Sequence, residues 1–173
     1  MRATRVLIAL LPALSIVTAT LLASLPWGLP AESRFVMPFL PFVAIHYWLL
    51  RQPHRVPEWL VFACGVGLDV LTNGPLGFWS LIYLVGFAFA HLQVSWDSDT
   101  PLSRAILCLV ALAVIGLAEW MLSSLYFWEA ADWRPVAIAV MWAALSYPLI
   151  AVALRPLDVD RPRRTNARLE RGA

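Results

Sequence analysis

The sequence predicts an all-α integral membrane protein with six transmembrane helices, and three observations point there. Of the 173 residues, 61% are hydrophobic and only 14% charged, with a mean hydropathy of +0.72. Soluble domains average about 45–50% apolar and about 25% charged residues. The apolar residues gather into six stretches, roughly 6–27, 35–50, 59–71, 78–92, 105–128 and 135–154. The basic residues, all thirteen of them Arg, collect on one side when those stretches are threaded through a bilayer. A soluble domain of this length has too little interior to hide so much apolar surface. Soluble enzymes, nucleic-acid-binding domains and disordered chains are therefore set aside.

The first stretch begins behind Arg2 and Arg5. Its apolar run is longer than a signal-peptide core and no Ala-x-Ala site follows, so it is predicted to be a retained span. The second stretch is short. The third and fourth are short too, and are separated only by Thr72-Asn73-Gly74-Pro75-Leu76-Gly77. The first, fifth and sixth meet the ~20 residues that a spanning helix needs.

Whether the third and fourth stretches form one span or two is decided by Arg. With six spans, eleven Arg lie on the cytoplasmic side and only Arg34 and Arg134 on the far side. With five, the ratio becomes five to eight. The positive-inside rule selects six, with both termini cytoplasmic. Trp27, Trp48, Trp59, Trp79, Trp96, Trp128 and Trp133 fall at span ends, where amphipathic rings favour the interface, while Trp120 and Trp142 are expected to be packing groups. Residues 1–154 thus form the membrane domain and 155–173 an Arg-rich cytoplasmic tail.

Ionisable residues inside a bilayer are candidate functional groups, because each is costly unless paired or facing a cavity. Asp69 falls near the outer end of the third span and Glu119 well inside the fifth. Asp69 belongs to Gly65-Val66-Gly67-Leu68-Asp69-Val70-Leu71-Thr72-Asn73-Gly74-Pro75-Leu76-Gly77. This segment is predicted to be a helix packed closely along Ala63 and Gly67. It should stop at a turn in which Gly74 adopts positive φ, Pro75 removes a donor, and Asp69, Thr72 and Asn73 satisfy freed backbone groups. Two roles stay open for Asp69: a capping carboxylate within the fold, or part of a partner-binding site.

Glu119 lies among Gly116, Ala118, Ser123 and Ser124. It is expected to be hydrogen-bonded in the bundle rather than part of a proton relay, for which a second acid at that depth is missing. Further small-residue pairs at Gly86/Ala90 and Ala139/Ala143 suit helix contact. His46 and His91 are expected to bond near the interface, and Cys64 and Cys108 to be small buried hydrophobes. No cofactor, metal or nucleic acid is expected, and no nucleophile, zinc or phosphate-loop motif occurs.

Gly-x-Gly-x-Asp-x-x-x-x-Gly-Pro-Leu-Gly between the third and fourth of six spans resembles the MreD family of rod-shape-determining proteins. The match covers about residues 65–77 and carries onto Gly65, Gly67, Asp69, Gly74, Pro75, Leu76 and Gly77. The resemblance implies a non-enzymatic subunit of the bacterial inner membrane that maintains cell shape. Such a subunit associates with the single-span protein MreC. The pair links the actin-like MreB filament to the peptidoglycan polymerase RodA and its transpeptidase. The resemblance also implies a fold like that of the substrate-binding S components of energy-coupling-factor transporters.

The alternative function is a vitamin-binding S component itself, which needs a ligand pocket. The short outer loops 28–34 and 129–134 offer few groups for one beyond Glu32, Glu129, Asp132 and Trp133. An assembly subunit of neither kind is the third possibility.

Overall fold

A computed structural model describes residues 2–28, 35–96 and 100–158, with side chains from Leu10 onward. Six α-helices account for most of these residues, and among them there is no strand. They are α1 (Arg2–Ser24), α2 (Phe39–Arg51), α3 (Glu58–Thr72), α4 (Phe78–Gln93), α5 (Pro101–Phe127) and α6 (Arg134–Leu154). Single 3₁₀ turns follow α2 and α6, at Pro53–Arg55 and Arg155–Leu157. The helices match the six apolar stretches to within a few residues. Glu32, Arg34 and the tail Arg at 161, 163, 164, 168 and 171 lie outside the described residues.

Helix α2 is the centre of the bundle. Ten of its thirteen residues are buried, so it presents almost no face to the surroundings. It packs against α1, α4, α5 and α6, while the outer helices run in sequence through the pairs α1–α3, α3–α4, α4–α5 and α5–α6. This placement explains its all-round apolar sequence, which no amphipathic stripe interrupts. Trp48 corrects the expectation of an interfacial ring: it is fully buried, and its Nε1–H donates to Ser15 Oγ at 2.7 Å. Trp142 corrects the opposite expectation, being 55% exposed on α6. Trp120 does pack, its Nε1–H reaching Ala131 O at 2.8 Å across the α5–α6 connection.

Close approaches occur where glycine removes a side chain. A Cβ at Gly86 would collide with Phe42 of α2 and Ile115 of α5, and one at Gly116 with Val140 of α6. Ala139 and Ala143 are fully buried, as are Ala90 and Cys108. Cys64 and Cys108 are free, buried thiols.

Two segments are long and apolar enough to cross a membrane, Pro101–Phe127 and Arg134–Leu157. Only 39% and 22% of their most apolar windows are buried inside the protein, so most of their apolar surface is left uncovered. Helices α2, α3 and α4, at 13, 15 and 16 residues, run ~20–24 Å, short of the ~30 Å hydrocarbon core. Apolar side chains are nevertheless exposed along α1, α3 and α4 as well, including Leu14, Leu21, Trp59, Phe62, Leu71, Leu81 and Leu92.

Candidate functional site

The segment 65–77 folds into a tight α3–α4 hairpin, and Asp69 organises it. Its side chain is fully buried. Oδ2 accepts the N–H of Gly77 at 2.8 Å and Oδ1 the N–H of Trp79 at 3.0 Å. Those donors open α4, where backbone N–H groups lack helical partners and carry the positive end of the helix dipole. A carboxylate on α3 thereby caps the helix that follows it. Thr72 donates to Leu68 O at 2.8 Å, within its own helix.

The turn corrects two expectations. Gly74 does not take positive φ; the left-handed residues are Asn73, at φ 54°, and Gly77, at φ 91°. Asn73 closes α3, with the Gly74 N–H returning to Asp69 O at 2.9 Å, a left-handed helix stop that Asn tolerates. Gly77 then reorients the chain so that its own N–H meets Asp69. The close packing of α3 also runs through a different glycine. A Cβ on Gly67 would meet open space, whereas one on Gly65 would collide with the backbone of Ser80. Leu76 is 77% exposed at the tip.

Glu119 is buried on α5, with Oε1 accepting from Ser123 Oγ at 3.2 Å. Its Oε2 has no hydrogen-bond partner among the described residues. Glu119 and Ser123 line a cavity of about 720 Å³ together with Thr72, Asn73 and Pro75 of the hairpin turn. Four aromatic rings, Trp27, Phe35, Phe78 and Trp79, also line it, and the rest of the wall comes from the end of α1 and the residues on either side of the α1–α2 connection. Trp79 is held edge-on by Phe39 at 5.8 Å and by Phe78 at 5.6 Å. Below it, the Tyr83 hydroxyl donates to Pro38 O at 2.5 Å.

The two polar features singled out in the sequence, the Asp69 turn and Glu119, thus converge on one end of the bundle. Counting polar groups in the outer loops missed the cavity, because the α1–α2 connection lines it with apolar and aromatic residues and most of its polar groups come from the hairpin turn and α5. Its size falls in the ordinary range for small-molecule sites, about 300–1,000 Å³.

The opposite end of the bundle holds polar links that sequence reasoning also missed. His46 is fully buried rather than interfacial, and its Nε2 lies 2.9 Å from Gln93 Oε1. Gln93 Nε2 donates to Leu107 O at 3.1 Å, joining α2, α4 and α5. Asp158 accepts from Arg51 at 2.8 Å and from Gln52 at 2.9 Å, clasping the residues after α6 to the end of α2. Arg51 also stacks over Tyr47, 4.3 Å from the ring centroid. Gln93, Gln52 and Asp158 carry no motif, and only the helix arrangement brings them together.

No protein-family model matches this chain, and no solved structure matches it significantly.

Proposed function

We propose that this chain is a six-span, non-enzymatic subunit of the bacterial cell-elongation complex, of the MreD type. It sits in the inner membrane with both termini cytoplasmic, its helices arranged as in an S component. It contributes to rod shape by association with an MreC-like single-span protein, and through it with an MreB-like filament and the RodA–transpeptidase pair. The observation that carries this reading is the 65–77 hairpin. Each of Gly65, Asp69 and Gly77 has a distinct job in one hairpin: close packing on Ser80, capping of α4, and the turn that brings the Gly77 N–H to Asp69. Contact between such a bundle and a partner helix would rest on packing and interhelical hydrogen bonds, since lipid is as apolar as either surface.

The membrane setting rests on the two long apolar helices and on the apolar side chains exposed around the bundle. The short helices suit it as well, because α2 is sheathed by its neighbours and lipid can thin around α3 and α4.

The test is complementation together with co-purification. Expressed with the MreC-like protein of its own genome in a rod-shaped host depleted of its shape subunit, the wild-type chain restores rods and co-purifies with that partner. Round cells and no association overturn the reading. A second reading, a vitamin-binding S component, is favoured by the aromatic cavity. It requires a vitamin to co-purify with the chain and shape to be indifferent to its loss.

A further inference from the structure

We propose that the cavity between the hairpin turn and α5 is a binding site for an organic cation, an ammonium group carried on an apolar body, with Glu119 as its counter-ion. The charge pattern carries the inference. Among the described residues that line the cavity, Glu119 is the one ionisable group, and no basic side chain answers it. One carboxyl oxygen is engaged by Ser123, while Oε2 is buried without a partner. A buried acid in this state is costly unless a cation or donor reaches it, and the described residues that line the cavity offer Oε2 neither.

The rest of the wall suits the same ligand. Trp27, Phe35, Phe78 and Trp79 present aromatic rings to the space, and indole faces attract ammonium groups more strongly than other rings do. Ser24, Thr72 and Asn73 add neutral polar groups to the lining. An anionic ligand would face Glu119 with no Arg among the described lining residues, and a purely apolar one would leave Oε2 unsatisfied. In the six-span topology the cavity opens toward the outer side of the membrane, so the cation arrives from there, either free or as an aminolipid headgroup. The site does not depend on the assembly role: loss of partner binding would leave it standing.

Three soluble probes that share a ring and differ in charge test it: benzyltrimethylammonium, benzyl alcohol and benzenesulfonate, titrated against tryptophan fluorescence of the purified full chain. Saturable quenching by the ammonium probe is expected, at least tenfold tighter than for the alcohol, with no saturation by the sulfonate. Glu119→Gln, checked for an unchanged thermal midpoint, is expected to lose at least tenfold in affinity for the cation.

The same titration in nanodiscs of phosphatidylglycerol, with and without phosphatidylethanolamine, separates the sources. Competition by phosphatidylethanolamine identifies a headgroup as the ligand, and its absence a free cation. Equal binding of all three probes by the wild type overturns the proposal. So does a correctly folded Glu119→Gln that retains wild-type affinity for the cation.

Discussion

Asp69 makes two charge-assisted hydrogen bonds to the first N–H groups of α4, and bonds to charged groups are worth about 1.5–3 kcal/mol each. Asp69→Leu leaves both donors without acceptors in a buried site, so a loss of about 3 kcal/mol or more is expected. Asp69→Asn keeps one acceptor oxygen and should fall between Leu and wild type. Thermal unfolding in detergent ranks the three, and equal midpoints would contradict the capping role.

Glycine substitutions divide in the same way. Gly65→Val forces its Cβ into the Ser80 backbone and is expected to cost at least the about 1–3 kcal/mol typical of overpacking. Gly67→Ala meets open space and should be neutral or slightly stabilising, since Ala is the better helix former. Composition and motif singled out the segment 65–77 but not which glycine did which job. Close approach depends on what lies opposite, and Ser80 stands opposite Gly65 only once α3 and α4 have paired.

At the scale of elements, the six helices were legible because apolar runs and their Arg, Gly and Pro punctuation are local properties. The start of α5 shows the limit of apolar runs alone: Thr100 Oγ1 accepts the Ser103 N–H at 3.1 Å and Pro101 opens the helix, four residues ahead of the apolar stretch that begins at 105. The burial of α2 was not legible, since an all-round apolar helix suits either lipid or a protein interior. Nor were the links His46–Gln93 and Asp158–Arg51, whose partners lie 47 and 107 residues apart. Gln93→Leu removes a donor to Leu107 O and strands His46, so it is expected to destabilise the bundle by about 1–3 kcal/mol. Asp158→Ala strands Arg51 and Gln52 in a largely shielded link, the Arg51 and Asp158 side chains being only 15% and 5% exposed. A loss of about 3 kcal/mol or more is expected, because a nearly buried charge is left without its partner. A loss of about 1 kcal/mol or less would show that solvent reaches the link.

For the molecule as a whole, the Arg distribution is expected to set the orientation of the helices in the membrane. Truncation after Asp160 removes five Arg, yet in the proposed six-span topology the rest still divides six to two toward the cytoplasmic side, so membrane insertion should survive. The tail's attraction to anionic headgroups, about 1 kcal/mol per Arg near the surface, would be lost with it. Sedimentation with membranes after carbonate extraction checks this, and a soluble truncated chain would contradict it.

Cysteine labelling in intact cells distinguishes the proposed six spans, with the hairpin on the outer face and both termini inside, from any other threading. In a chain with Cys64 and Cys108 replaced by Ala, single cysteines at Leu76, 77% exposed at the hairpin tip, and at Trp96, 52% exposed after α4, report the two ends of the bundle. A membrane-impermeant maleimide is expected to label Leu76→Cys in intact cells and Trp96→Cys only after permeabilisation. Labelling of both from outside, or of Trp96→Cys alone, would contradict the six-span account.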